Sequence, residues 1–556
     1  MFIIQNMDWR LKLGKIFFPQ YAKGRKDGIE IKLGESVLDH IRKISGVEIS
    51  SECGGRGICG LDVIRIEKGY DSLSGLSTSE KKLLKQGKLK KNQRLACQAK
   101  IIDESKDIKV FISSIGSYTI LTDIIEREVI LDPFVFKKED RVFYYPKKYL
   151  GKYNGRILGL AIDVGTTTIV MQVVDLESGK NLGSPMAYRN PQIAYGNDVI
   201  SRIGYSISST HGLKELQQSV VEAVNESLKE LEIKLGVGKE SIKNSIYDVV
   251  IVGNSTMRNI FFGKAVRSLG FIPFEPDDRE PILAGSKQIG LDINENALVF
   301  GPALIGGHAG ADCLADIIST RIYKSPQINM IIDIGTNGEV VIGNNKKILT
   351  ASCAAGGAYE GYQISCGVGA IGGAITELKI DHSKIGYKTI GDKKALGICG
   401  SGVIDLLAEL LRNNIMNSKA RIGKNFYIDD SLYVTQDDIN QLIIAKAGLR
   451  TDQDLLIKYY ETSLGSISKI YLAGAFGNYM NIENAMAIGL LPKIDKKKFV
   501  RFGNGALAGA IDMLLSRKIR NDSKTLVKLI THTKPNEVEG ERFQYMVADN
   551  MYFNQK

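Results

Sequence analysis

The chain has 556 residues, of which 44% are hydrophobic and 24% charged, and a formal net charge of +11. That length exceeds a single core and predicts two or three domains, while the composition is ordinary for soluble globular protein and excludes fibre and extended disorder. The longest apolar stretch, Leu158 to Val174, is broken by Asp163 and a threonine run. It falls short of the roughly 20 apolar residues of a membrane span, and no signal-like block opens the chain, so a cytoplasmic protein without membrane contact is expected.

The basic excess is scattered and has no recognition-helix or base-stacking motif beside it, which argues against nucleic acid as a partner. In chain order, residues 1–27 read as an N-terminal arm and 28–112 as a small mixed domain. An extended run starts at Ile29, a helix covers about Ser36 to Ile44, and strand-like runs lie at Val63 to Ile66 and Ile108 to Ile112. Between them stands Cys53-Gly-Gly-Arg-Gly-Ile-Cys59-Gly-Leu-Asp62, followed 35 residues after Asp62 by Cys97. A glycine-rich loop with convergent cysteines plus one distant cysteine is how a 2Fe-2S cluster is held, because two tetrahedral irons need soft ligands from several directions. Asp62 occupies the place of the third cysteine. A carboxylate is harder than a thiolate and favours ferric iron, so an Asp62-ligated cluster is expected to have a lower potential and to be more labile; the competing reading is a site that no longer binds iron. Seven basic residues, Lys81, Lys82, Lys85, Lys88, Lys90, Lys91 and Arg94, precede Cys97. They read either as a solvated face or as a docking face for an acidic redox partner. Cys313, Cys353, Cys366 and Cys399 sit in glycine- and alanine-rich context and read as small core residues.

Residues 113–154, aromatic and basic without helical period, read as a linker or a reduced middle region. From 155 onward strand-like runs alternate with amphipathic helices, near Leu213 to Leu235 and Ile439 to Lys446 among others, the pattern of α/β layers. Two of the runs echo each other: Leu160-Ala-Ile-Asp163-Val-Gly165-Thr166-Thr167-Thr168 and Met330-Ile-Ile-Asp333-Ile-Gly335-Thr336-Asn337-Gly338, with the aspartates 170 residues apart. Two similar halves are expected, 155–328 and 329–556. Each copy places a carboxylate and a turn of backbone N–H groups at a sheet edge. The turn suits phosphate, and Asp163 and Asp333 suit magnesium held through water. A third segment, Ile470-Tyr-Leu-Ala-Gly474-Ala475-Phe476-Gly477-Asn478, ends a strand in small residues that let backbone approach a flat adenine. Gly356 and Gly357 are expected to add nucleotide contacts. No Walker lysine loop is present.

These three segments resemble the nucleotide motifs of the ATPase superfamily of sugar kinases, acetate kinase, actin and the heat-shock chaperones. The resemblance implies two ribonuclease-H-like lobes closing on magnesium ATP. Joined to the ferredoxin-like domain, the whole resembles the reductive activators of corrinoid proteins, which use ATP to return cobalt(II) corrinoid to cobalt(I). The matching residues include Asn190-Pro-Gln192, Gly196-Asn-Asp198-Val-Ile-Ser-Arg202-Ile, Gly253-Asn254-Ser-Thr256-Met, Gly397-Ile-Cys399-Gly-Ser401-Gly and Arg94-Leu-Ala-Cys97-Gln. The fold so implied is α/β and α+β multidomain: a β-grasp ferredoxin-like domain, a linker, then duplicated actin-like lobes. The implied partners are a corrinoid protein of a methyltransferase system and an external low-potential electron donor, with a homodimer left open. Asp198 and Arg202, four apart on one helix face, are read either as an ion pair or with Asp198 in a catalytic or interface role. Three alternatives stay open: an ATP-driven electron activator of another metalloenzyme, a small-molecule kinase with a ferredoxin module, and a nucleotide-switched scaffold.

Overall fold

The computed structural model describes residues 13–18, 28–43, 49, 57, 62–85, 89, 92–112, 127–196, 198–235, 242–335, 337–353, 357–360, 364–370, 372–381, 384–429, 432–477 and 479–553. It divides into two compact units, one of residues 1–115 with 191–226, the other of 116–190 with 227–556. No helix among the described residues is long and apolar enough to cross a membrane.

The first unit is built on a five-stranded sheet of order β2-β1-β5-β3-β4, from β1 (Lys15–Phe17), β2 (Ile29–Glu30), β3 (Val63–Lys68), β4 (Gln93–Leu95) and β5 (Ile108–Ile112). β1 runs parallel to β5 and the other pairs are antiparallel, the arrangement of a β-grasp sheet. The helix Val37–Ile41 is started by a capping box between Ser36 and Asp39 and buries Val37, Leu38 and Ile41 against Ile16, Ile64 and Val110. Residues 15–17, expected in an outlying arm, thus supply a strand inside the sheet. Three residues carry too little periodicity to announce a strand whose partners lie 13 and 92 positions away. The helix expected to Ile44 ends at Ile41.

The second unit holds two six-stranded sheets. The first, of order β11-β10-β9-β12-β14-β13, uses β9 (Leu158–Val164), β10 (Thr168–Asp175), β11 (Met186–Arg189), β12 (Ile246–Val252), β13 (Ile282–Gly285) and β14 (Leu298–Gly301). The second comprises β15 (Asn329–Ile334), β16 (Gly338–Gly343) and β17 (Ile348–Cys353), then β23 (Lys469–Ala473), β24 (Phe499–Gly503) and β25 (Ile530–His532). Its order is β24-β23-β15-β16-β17-β25. In both, the motif strand is central, a hairpin continues on one side, and a parallel strand adds on the other. The duplication read from the Asp-Gly-Thr echo is therefore a duplication of sheet topology. Between the two halves of the second sheet come β18 (Ala374–Asp381), β19 (Lys384–Thr389) and β20 (Gly397–Ile398) as a three-stranded sheet, and the pair β21 (Phe426–Tyr427) and β22 (Tyr433–Val434).

The segment read as a linker contains an antiparallel meander of β6 (Val135–Lys138), β7 (Arg141–Tyr144) and β8 (Lys148–Lys152). Val135, Val142, Tyr144 and Leu150 of this meander join the core shared with β9, β12 and the helices Ala311–Thr320 and Gly505–Leu515. Buried Arg520 ties these parts together, bonding Asp248 at 2.5 Å and the Tyr144 hydroxyl at 3.2 Å. The lysines between the apolar positions hide the alternation that would have revealed strands.

Candidate functional site

A cavity of about 380 Å³ in the second unit is lined by Asp163, Gly165, Thr166, Thr167 and Thr168 of one hairpin and by Asp333, Gly335 and Asn337 of the other. Each aspartate is the next-to-last residue of its strand, just before the hairpin turn, and lines the cavity there. Two helix N-caps brace this floor. Asn504 caps Gly505–Leu515 with its oxygen and donates its Nδ2 to Asp163 Oδ2 at 2.9 Å. Asn254 does the same for Ser255–Phe261, donating to the Thr166 hydroxyl at 3.1 Å. Asn190 holds the first hairpin from behind, its side chain donating to the Gly165 carbonyl at 2.8 Å and its N–H to the Thr167 carbonyl at 2.7 Å.

Five carboxylates crowd the floor: Asp163, Asp312, Asp333 and Glu339, which line the cavity, and Asp316, which is buried beneath it. Asp333 and Glu339 face each other across β15 and β16. The enclosing protein desolvates them all. Burial and the neighbouring Asp333 push Asp163 to about 7 against the Asn504 bond, and Asp312 also lies at about 7. Asp333, Asp316 and Glu339 are raised by the same desolvation, and Asp316 hydrogen-bonds Asp333. Sequence reasoning found Asp163 and Asp333 through the repeat. It missed Asp312, Asp316, Glu339, Asn254 and Asn504 as site residues, because helix-borne or single acids and amides carry no repeated signature.

The donor set fits magnesium ATP: hard carboxylate oxygens for the cation, and glycine turns with threonine hydroxyls for phosphate. Gly474 lines the same cavity with φ +81°, and a Cβ there would stand 2.5 Å from Asp333 Oδ1, so only glycine lets this backbone pass. Gly338 and Gly477 are buried beside it in β16 and the short helix Gly474–Gly477. Gly357 begins the turn that carries Tyr359, a lining residue. Thr336 and Gly356 lie outside the described residues, as do the side chains of Ala475 and Phe476. Cys399, read as core, is buried but also lines the cavity at the start of the helix Gly400–Arg412, whereas Cys313 and Cys366 are buried and Cys353 half-buried.

Asp198 is a helix cap. It precedes Val199–Ser208 in the first unit, accepts from the Ser201 amide and hydroxyl at 2.7 Å each, and is not among the cavity lining. Arg202 is buried and donates to the Gly196 carbonyl at 2.9 Å and to Gln192 at 3.1 Å.

Of the cluster constellation, Asp62 and Cys97 are described; Cys53 and Cys59 lie outside the described residues. Asp62 is fully buried beside β3, and its Oδ2 accepts from the Cys97 amide at 2.7 Å while Oδ1 has no hydrogen-bond partner among the described residues. An orphaned carboxylate oxygen beside the Cys97 backbone fits a metal-ligand position. Burial pushes this carboxyl above its usual range, against the bonds from Cys97. Arg94 is no part of a docking face: it is buried and pairs with buried Glu80 at 2.7 and 3.1 Å, while Glu80 also accepts from the Leu95 amide at 3.0 Å. Lys81, Lys82 and Lys85 are exposed on the helix Thr78–Lys85, and Lys88, Lys90 and Lys91 lie outside the described residues.

Family models match most of the chain: the 2Fe-2S iron-sulfur cluster binding domain over residues 21–101, the RACo middle region over 158–325, and the C-terminal ASKHA domain of RACo over 327–556. The middle-region match thus falls on the lobe that carries Asp163, not on 113–154. The corrinoid activation enzyme RamQ of Eubacterium limosum is 32% identical over 428 residues, 71% of each chain. The [Co(II) methylated amine-specific corrinoid protein] reductase of Methanosarcina barkeri is 26% identical over 400 residues, 67% of this chain and 73% of that one. A solved structure described as a reductive activator for corrinoid, iron-sulfur protein superposes with a TM-score of 0.70 at 27% identity, covering 97% of this chain and 98% of its own.

Proposed function

The chain belongs to the family of ATP-dependent reductive activators of corrinoid proteins, and from that premise we propose that it passes one electron from an iron-sulfur centre to cobalt(II) of a methyltransferase corrinoid protein, restoring cobalt(I). The observation that carries this reading is the joining, in one chain, of a β-grasp sheet holding Cys97 against Asp62 and a cavity floored by two Asp-Gly-Thr hairpins.

In the cavity, the amides of the two hairpins and the Thr167 and Thr168 hydroxyls would bind phosphate oxygens, and Asp163 and Asp333 would hold magnesium to neutralise their charge. Asn504 keeps the Asp163 carboxylate aimed at the cation. Glu339 lines the cavity opposite Asp333, where its carboxyl would hydrogen-bond and orient the attacking water. Gly474 lets the backbone close over the adenosine. Cys53, Cys59, Asp62 and Cys97 would hold the cluster, and the Asp62 oxygen that does not accept from the Cys97 amide is the one open to such a role. The cluster, when bound, supplies a single low-potential electron. Glu80 and Arg94 fix the Leu95 backbone and with it the position of Cys97. ATP acts through conformation: it favours the closed lobes, and closed and open lobes differ in affinity for the two redox states of the corrinoid partner, so nucleotide binding offsets an uphill transfer.

An anaerobic optical assay for cobalt(I), with corrinoid protein, low-potential reductant and ATP omitted in turn, tests the proposal. Cobalt(I) forms only when all are present. Cobalt(I) formation without ATP, or a phosphorylated small molecule in place of free phosphate, overturns it.

A further inference from the structure

A second cavity, of about 310 Å³, shares no lining residue with the nucleotide site. Lys446, Arg450 and Lys493 supply its cations, and Asp549 is the one carboxylate among its described lining residues. Lys446 stands midway along the helix Gln436–Tyr459, where it is 1% exposed. Among the described residues its ammonium hydrogen-bonds only the Tyr552 carbonyl, at 3.4 Å, and it lies 4.4 Å from the centre of the Phe553 ring. The chain at Gly489 turns with φ +75° and packs beside this ammonium, where an added Cβ would lie 3.9 Å from it. Arg450, one turn further along, is held by Asp454 at 3.0 Å and by the Leu491 carbonyl at 3.3 Å. Lys493 is exposed.

An ammonium has three donors, and burying it with one long acceptor is unfavourable unless something else completes its shell. An aromatic face offsets only part of that cost. Two ammonium groups and a planar guanidinium on one cavity match the charge and oxygen geometry of phosphate. We propose that this cavity is a binding site for a small tetrahedral oxyanion, phosphate or a phosphate monoester, gripped by Lys446, Arg450 and Lys493.

Burial and the nearby Arg450 bring Lys446 down to about 7. The other charged or titratable groups around it are Asp454 on its own helix, Lys493 on the following segment, and Asp549 and Tyr552 at the C-terminal helix. The empty site at pH 8 therefore holds mostly neutral amine, and an anion entering it draws a proton onto Lys446. Since only the protonated form grips the anion, affinity falls about tenfold between pH 6 and pH 8.

Sulfate is the cleanest probe because it does not titrate in this range. The intact protein, its nucleotide cavity saturated with magnesium and a non-hydrolysable ATP analogue, is titrated with sulfate by calorimetry in buffers of different ionisation enthalpy. The expected result is saturable binding, with close to one proton taken up per sulfate at pH 8 and almost none at pH 6. K493Q, on the exposed rim, weakens binding several-fold, and K446M abolishes the proton uptake. Inorganic phosphate and glycerol 3-phosphate as competitors tell a free anion from an ester. No saturable binding, or binding whose affinity and proton count are the same in wild type and K493Q, overturns the proposal even if K446M does not fold.

Discussion

Asp62 divides its carboxylate, one oxygen on the Cys97 amide and the other buried without a partner among the described residues. Oxygen ligation stabilises ferric iron, so Asp62→Cys is expected to raise the midpoint potential of the cluster and slow cobalt reduction; redox titration and the optical assay check both. Asp62→Ala is expected to purify with less iron and acid-labile sulfide. Arg94 acts differently. Removing it leaves Glu80 charged and unpaired in the core, which costs about 3–5 kcal/mol, so Arg94→Ala is expected to unfold at much lower denaturant concentration. The basic run in the sequence hid this role, because a linear count of charge does not separate a buried arginine from exposed lysines. Asp163 carries a pH signature. Its folded value of about 7 exceeds the unfolded one, so the folded chain binds more protons between about pH 4 and 7. Stability without nucleotide therefore falls as pH rises through that window. Magnesium ATP needs the carboxylate and binds more tightly at pH 8 than at pH 6, and Asp163→Asn and Asp333→Asn lose ATP-dependent reduction while keeping the visible cluster spectrum. Both aspartates were legible because their motif repeats; Asp312 and Glu339 reach the same floor from elements whose sequence says only helix and strand.

Between the two lobes of the second unit run the helices Ala311–Thr320 and Gly505–Leu515, which share a core with strands of both sheets. Their backbones nearly touch. A Cβ on Gly509 would stand 2.2 Å from the Ala315 carbonyl oxygen and 2.7 Å from its Cα, and one on Gly505 would stand 2.2 Å from Asp316 Oδ1. Such a crossing needs glycine, and it sets the spacing between Asp312 and Asp316 on the first helix, Asn504 at the start of the second, and the hairpins above them. A side chain at 509 has only backbone to push against. Gly509→Val is expected to cost about 1–3 kcal/mol by overpacking and to lose most ATP hydrolysis, since the lobes can no longer close. The ferredoxin sheet lies in the other unit and keeps its cluster spectrum. The sequence declared both lobes through strand-turn-strand repeats but not this pairing, because small residues in a helix signal close packing without naming the partner. The meander β6 to β8 and the short strand β1 were hidden for the opposite reason: their pairing is explicit in space, yet lysine-rich or three-residue segments give no period to read.

At the scale of the whole chain, ATP is read in one unit and the electron is held in the other, so coupling needs a connection sensitive to both. Asn190 ends its segment of the second unit while clamping the Gly165 and Thr167 carbonyls of the phosphate hairpin. The next residue, Pro191, opens the segment that belongs with the ferredoxin sheet. Within that first unit Arg42, directly after the helix Val37–Ile41, donates to the Ala194 carbonyl at 2.7 and 3.3 Å. Its guanidinium lies over the rings of Tyr195 and Tyr205 at 4.5 and 5.2 Å. A shift of the phosphate hairpin on nucleotide binding pulls on Asn190, and four residues later the same strand of chain is fastened to the ferredoxin helix. Coupling free energies between sites are typically about 1–3 kcal/mol, or 5- to 150-fold in affinity, which one stacked and hydrogen-bonded arginine can carry in good part. Arg42→Ala is therefore expected to keep its cluster spectrum and its basal ATP hydrolysis, yet to lose most of the ratio between cobalt reduction with and without ATP. Arg42→Lys keeps the charge but lacks the planar fork, and restores little of that ratio. A contact that served stability alone would lower the rates with and without ATP together, and a ratio unchanged in Arg42→Ala would place the coupling elsewhere in the chain.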